Sequence, residues 1–278
     1  MEGIISFENY QFGYSLKGRS DRPAILFLHG FMGDRHDFAP ITSCLIEHYQ
    51  CLAIDLPGHG KTQVIEEAEC GMALTAQAII GALDQLQIPQ CFLVGYSMGG
   101  RLALYLTLHF PERFIGTMLE SASPGLKTEE ERNQRSQRDW QLATELETTN
   151  FSEFLTNWYK QPLFASMTRL TDSSKSAPRF EQMLARRQQN QPHELAKSLR
   201  SLGTGSQPSL WAKLAHNQVP LLLLVGELDQ KFVQTNQEMQ MLCSSAQLQI
   251  MAECGHNVHF ENVLGFGERL REFLLAIV

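Results

Sequence analysis

The sequence is poor in the features that would direct it to a membrane, a nucleic acid or a metal. Its longest aliphatic runs, such as 221–225, are strand-sized, far short of the roughly 20 apolar residues that span a bilayer, so no membrane span is expected. Residues 1–10 lack a basic stretch followed by an apolar one, which argues against a secretory leader. Lys plus Arg number 23 against 30 Asp plus Glu, a net charge of -7. An extended nucleic-acid surface needs clustered cations to displace phosphate counterions, so no nucleic-acid partner is expected. Six cysteines (Cys44, Cys51, Cys70, Cys91, Cys243 and Cys254) form no C-x-x-C pair, and in the absence of a leader they are expected as reduced thiols in the cytoplasm. No His, Cys and carboxylate grouping has metal-ligand spacing, so neither a metal nor a redox cofactor is expected. Internal repeats and low-complexity tracts are missing as well.

What is present is a globular composition, 43% hydrophobic and 19% charged over 278 residues, at a size where folding hides about three-quarters of the chain's surface. Short apolar runs ending in Gly-rich turns alternate with segments of helical period. This predicts parallel strands at 24–28, 50–54, 91–94, 115–119, 221–225 and 248–251, after an opening antiparallel hairpin at 3–7 and 10–16. Helices are predicted at 72–86, after Ser97, and at 261–275. Between 123 and 214 strand-like runs give way to amphipathic segments rich in Gln, Arg and Glu and interrupted by Pro162, Pro178, Pro192 and Pro208. The expected organisation is a core of 1–122 and 215–278, with 123–214 inserted as a helical cap before the penultimate strand. Residues 127–213 hold 13 Lys plus Arg and 10 Asp plus Glu, so the cap is cationic while the remainder carries -10.

Gly95-Tyr96-Ser97-Met98-Gly99 follows an apolar run and opens a helical segment, the strand, tight turn and helix context of a nucleophile elbow. Glycines on both sides let the backbone turn sharply and lift the Ser97 hydroxyl above the sheet, while the new helix offers unpaired N–H groups to developing negative charge. A serine hydroxyl needs a neighbour to take its proton and a carboxylate to orient that neighbour. His256, in Cys254-Gly255-His256 after the last strand, is the best placed of nine histidines; His259 reads as a packing group or as support for the site. Asp229 in Gly226-Glu227-Leu228-Asp229 is the expected acid, with Glu227 its rival. An oxyanion hole requires two backbone donors aimed at one point: Met98 N–H supplies one, and Phe31 N–H, in His29-Gly30-Phe31-Met32-Gly33, the other. The loop Asp55-Leu56-Pro57-Gly58-His59-Gly60 reads as structural. Arg101, one helical turn after Ser97 on the same face, should be buried beneath the pocket, where a carboxylate or an anionic ligand must answer it.

With the cap motifs added, the chain resembles the 2-succinyl-6-hydroxy-2,4-cyclohexadiene-1-carboxylate synthases, lyases of menaquinone and phylloquinone biosynthesis within the α/β-hydrolase superfamily. The likeness covers 24–262. Its specific parts are Ser123-Pro124-Gly125-Leu126 with Glu130, Glu131, Arg132, Arg135 and Asp139; Trp158-Tyr159-Lys160-Gln161-Pro162-Leu163-Phe164; Leu202-Gly203-Thr204-Gly205; and Gln207-Pro208-Ser209-Leu210-Trp211. The resemblance implies the α/β-hydrolase fold, a mostly parallel sheet flanked by helices, and no cofactor. It also implies a small substrate bearing three carboxylates, 2-succinyl-5-enolpyruvyl-6-hydroxy-3-cyclohexene-1-carboxylate, from which Ser97, activated by His256, eliminates pyruvate. Carried over by motif, Arg101, Arg135 and Arg187 bind carboxylates, Arg187 adjoining Arg186, and Tyr96, Trp158 and Phe164 shape the pocket. Val263 and Thr62 depart from the family's pattern, in which proline follows the His-Phe-Glu-Asn-like run. The alternatives are an ester or carbon–carbon bond hydrolase acting on a small carboxylate, and a non-enzymatic ligand receptor on the same scaffold. Monomer and homo-oligomer both remain compatible with the sequence.

Overall fold

The computed structural model describes residues 1–65, 70–169 and 177–277; the portion of the predicted cap at 170–176 lies outside the described residues. The strands are β1 (Glu2–Phe7), β2 (Tyr10–Lys17), β3 (Ala24–Leu28), β4 (Gln50–Ile54), β5 (Gln63–Val64), β6 (Cys91–Tyr96), β7 (Phe114–Glu120), β8 (Leu221–Gly226) and β9 (Ala246–Met251). They form one sheet in the order β1-β2-β4-β3-β6-β7-β8-β9, with β5 paired to β2. β1 and β2 make the predicted antiparallel hairpin, and every pairing from β4 through β9 is parallel.

Parallel strands covered on both faces should be buried and largely apolar, and β3, β6 and β8 at the centre are buried at every position. Along β3, Leu26 and Leu28 enter one core cluster and Ile25 and Phe27 the other; Leu93 against Phe92 and Val94 in β6, and Leu221 and Leu223 against Leu222 and Leu224 in β8, divide in the same way. The first face is covered by α2 (Met72–Gln85), α3 (Met98–His109) and α9 (Gln230–Leu242), and the second by α1 (Ala39–Thr42) and α11 (Val263–Ile277).

Between β7 and β8 the described residues hold no strand. They form α4 (Glu129–Thr148), α5 (Phe151–Tyr159), α6 (Ala165–Arg169), α7 (Ala177–Arg187) and α8 (Pro192–Leu202). A reciprocal capping box starts α4: Thr128 Oγ1 accepts from Glu131 N–H at 3.1 Å, and Glu131 Oε2 accepts from Thr128 N–H at 3.0 Å. Ala143, Leu146, Phe154, Leu155, Leu195 and Leu199 make a third core that also takes Met32 and Phe260 from the main body.

The final helical region differs from the expected 261–275. A short α10 (Val258–Glu261) ends at Asn262, with φ -137° and ψ 76°, before α11 begins. Asn262 Oδ1 accepts Gly265 N–H at 2.9 Å, so the break is built on an Asn that caps the next helix rather than on proline or glycine. β6 and β7 also run past their predicted ends, to Tyr96 and Glu120. Among the described residues no helix is long and apolar enough to cross a membrane.

Candidate active site

At the carboxyl end of β6 the chain turns through Ser97, with φ 49° and ψ -107°, straight into α3. This backbone region is hostile to L-residues, and close packing holds it. A Cβ at Gly99 would collide with Leu28 O and His29 O, and one at Gly95 would lie 2.6 Å from Gly99 O. The start of α3 is thereby pressed against the end of β3, beside Phe31. Ser97 N–H donates to Glu120 O at 2.9 Å, fixing the turn to β7.

Two further strand ends complete the group. Asp229 follows β8 and caps α9, one carboxylate oxygen accepting Phe232 N–H at 3.5 Å. Its other oxygen accepts from His256 Nδ1 at 2.6 Å, and His256 Nε2 lies 3.0 Å from Ser97 Oγ. Since a carboxylate only accepts, Nδ1 carries the proton and Nε2 is left as a base facing the hydroxyl. Glu227, the rival acid, instead accepts Glu253 N–H at 3.1 Å and stays exposed. Backbone bonds from Glu227 N–H to Met251 O and Leu228 N–H to Cys254 O, each 2.9 Å, stitch the acid loop to the histidine loop. His259 lies in α10 and is buried, its backbone N–H and Nδ1 both on Glu120, at 2.9 and 2.7 Å.

Ser97 opens into a cavity of about 560 Å³ that Phe31, Tyr96, Met98, Arg101, Arg135, Trp158, Phe164, Arg187 and His256 all line. Rings form one wall: Phe31 meets Trp158 at 5.3 Å, Phe164 meets His256 at 6.1 Å, and Phe232 packs 4.8 Å from His256. Tyr96 is buried and its phenol is pushed well above its ordinary range, by burial first and then by nearby Glu120.

Among the described residues six cationic side chains face the cavity, the three expected arginines with Lys127, Arg138 and Lys231, against two carboxylates, Glu131 and Glu238. Arg101 is buried, 9% exposed. Among the described residues its guanidinium donates to neutral oxygens, Gln207 Oε1 at 3.2 Å and Leu202 O at 2.9 Å. Burial and the like charge of Arg135 pull its pKa down to about 10, with Asp139 opposing. Arg135 donates its Nε–H to Asp139 at 2.7 Å. Arg187 is forked onto Asp37, both bonds 2.7 Å, and gives Nε–H to the Tyr159 hydroxyl at 3.3 Å. These bonds use three of its five N–H donors. Arg186 lies outside the lining, near Asp34 and Asp37 at 3.5 and 3.6 Å.

The separated cap motifs meet around Arg101. Leu202 and Gln207 hold its guanidinium, Gln207 Nε2 donates to Ser123 O at 3.2 Å, Leu210 N–H to Pro124 O at 2.8 Å, and Trp211 Nε1 to Gly125 O at 2.8 Å. The acid beside this cradle is Asp139, which accepts from both Arg135 Nε and Gly205 N–H.

Sequence reasoning missed Asp37, Glu120 and Phe232 as residues of the site, and assigned no role to Tyr159 and Gln207 although both lie in the cap motifs. Asp37 has no local motif, and its partner Arg187 is 150 residues away.

A serine at a sharp strand-to-helix turn, a histidine and a carboxylate brought together from three strand ends of one mostly parallel sheet are the arrangement of the α/β-hydrolase class, and residues 23–263 match the family model for the alpha/beta hydrolase fold. Within that class the chain belongs to the 2-succinyl-6-hydroxy-2,4-cyclohexadiene-1-carboxylate synthase family. It is 35% identical to the putative synthase of that name from Bacillus subtilis, covering 99% of this chain and 98% of the relative. It is 33% identical to the Serratia proteamaculans synthase, covering 93% and 96%. The solved structure of MenH from S. aureus superposes with a TM-score of 0.89 at 32% identity, covering 95% of this chain and 98% of that one.

Proposed function

We propose that the chain eliminates pyruvate from 2-succinyl-5-enolpyruvyl-6-hydroxy-3-cyclohexene-1-carboxylate to give 2-succinyl-6-hydroxy-2,4-cyclohexadiene-1-carboxylate, the product in its relatives' name. Beyond those names, one observation carries the reading. A buried guanidinium, Arg101, is answered by no carboxylate among the described residues and lines the same cavity as Ser97. Burying such a charge without a counter-ion is costly, and a substrate carboxylate offsets that cost. An uncharged ester gives no reason for the arrangement.

In this reading His256 takes the Ser97 proton as the Ser97 oxygen removes the hydrogen on the ring carbon α to the succinyl ketone. The ketone oxygen gains the charge and rests on the N–H groups of Phe31 and Met98. The enolate then reforms the ketone, its electrons moving through the ring double bond to break the carbon–oxygen bond to the enolpyruvyl group. That group leaves as the enolate of pyruvate and takes up the proton held at the site. Asp229 fixes the His256 tautomer and stabilises the imidazolium. Arg101, Arg135 and Arg187 hold the three carboxylates, while Tyr96, Trp158 and Phe164 shape the apolar wall. Residues 123–214 act as the cap over this site. The six unpaired cysteines support a cytoplasmic enzyme, and the cavity supports a small anion as its partner.

The test is to mix the protein with the enolpyruvyl substrate in oxygen-labelled water and follow pyruvate. Pyruvate should appear with no label in the diene product, and Arg101→Ala should lose roughly 2 to 5 kcal/mol in kcat/KM. Label entering the product carbon skeleton, or an Arg101 variant with wild-type constants, would favour a hydrolase.

A further inference from the structure

The loop Pro57-Gly58-His59-Gly60 has no part in the triad, yet it reaches the oxyanion side of the cavity from below. Gly58 and Gly60 have φ of 81° and 55°. A Cβ at Gly58 would collide with Glu194 O of α8, and one at Gly60 with the Asp55 carboxylate. Only glycine at both positions lets the loop fit between the sheet and the helical insertion while turning His59 inward.

His59 Nδ1 donates to Pro57 O at 3.0 Å, which leaves Nε2 to accept Met32 N–H at 3.0 Å. Burial, with His29 nearby, pulls the His59 pKa well below its ordinary value, so the ring stays a neutral acceptor. Its edge also meets the Phe31 ring at 5.6 Å. On the opposite side of the same residue, Met32 O accepts from Asn190 Nδ2 at 2.9 Å, and Asn190 Oδ1 accepts Gly60 N–H at 2.9 Å. Asn190 is buried in the turn between α7 and α8. Met32 itself sits at φ 65°, a left-handed conformation rare for a side chain of its size. Both of its peptide groups are therefore clamped, one by the core loop and one by the inserted segment, at a strained residue directly after Phe31.

We infer that Asn190 and His59 are positioning residues that aim the Phe31 N–H into the oxyanion hole, so that the helical insertion supplies part of the oxyanion geometry as well as the roof. The inference rests on the proposed role of Phe31 as an oxyanion donor. A donor serves the reaction only when it points at the site the charged oxygen will occupy, and a misaimed one leaves ground-state binding untouched.

The test compares wild type with Asn190→Ala and with Asn190→Asp, which keeps an acceptor for Gly60 N–H and at neutral pH removes the donor to Met32 O. Turnover is followed by pyruvate release, and substrate affinity is measured in a Ser97→Ala background. Expected for at least the folded Asn190→Asp protein is a fall in kcat of about 10- to 100-fold, with KM and affinity within about twofold of wild type. A kcat within about twofold of wild type, or a loss confined to KM and affinity, overturns the inference. Wild type releasing no pyruvate overturns the proposed function instead, so the two failures are separable.

Discussion

Ser97 occupies its strained conformation because Gly95 and Gly99 admit backbone where a side chain would go, and Arg101, a turn further on, has no carboxylate bonded to it among the described residues. Such positions cost stability and are retained where a reaction uses them. Arg187 is the opposite case. Asp37 neutralises it inside the fold, and although burial alone would raise the Asp37 pKa, the Arg187 charge and its hydrogen bonds hold it down at about 2. A carboxylate depressed in the folded state stabilises above its unfolded pKa of about 3.8 and loses that contribution as pH falls through about 2. This proton-linked part is about 2 kcal/mol. Asp37→Asn should cost about 3 to 5 kcal/mol at neutral pH by stranding the guanidinium, and urea titrations should find the gap to wild type narrowing between pH 4 and pH 2. A pH-independent gap would mean that the pair is not ionic.

At the level of elements, the joint between β6 and α3 decides whether the site exists. Gly99→Ala places a methyl group against the backbone oxygens of β3, which cannot yield as a side chain does. Overpacking of this kind costs about 1 to 3 kcal/mol, and the displaced helix start carries Met98 N–H with it. Thermal unfolding and kcat should fall together; a variant with unchanged stability would show that α3 does not bear on β3. The six parallel strands were legible because each is a short apolar run closed by a turn, and the elbow because Gly, Ser and Gly stand at a strand end. Boundaries were less so. The helix break at Asn262 depends on an Asn cap with no breaker residue, and β7 extends to Glu120 through its pairing with Tyr96 and Leu224, the buried carboxylate being answered by His259 across the fold.

For the whole molecule, the sheet brings residues 97, 229 and 256 to one edge, and the segment between β7 and β8 lines the same cavity with Lys127, Arg135, Arg138 and Arg187. The sequence carried the triad and the three arginines as candidates, since each lies in a motif or at a strand end. It did not carry the partners of those residues. Asp37 for Arg187, Gln207 for Arg101 and Asn190 for Met32 are chosen by tertiary approach over more than a hundred residues, and no local spacing encodes them. They show the insertion to be tied to the main body by buried polar bonds as well as by the third core.

In the proposed mechanism Ser97, deprotonated by His256, removes the hydrogen beside the succinyl ketone. The most direct measurement is single-turnover pyruvate release from substrate carrying deuterium at that ring carbon, in wild type and in Ser97→Ala. Wild type should release pyruvate more slowly from the deuterated substrate, and Ser97→Ala should be at least about 10³-fold slower than wild type. Release at the wild-type rate by Ser97→Ala, with no isotope effect in either protein, would contradict this mechanism.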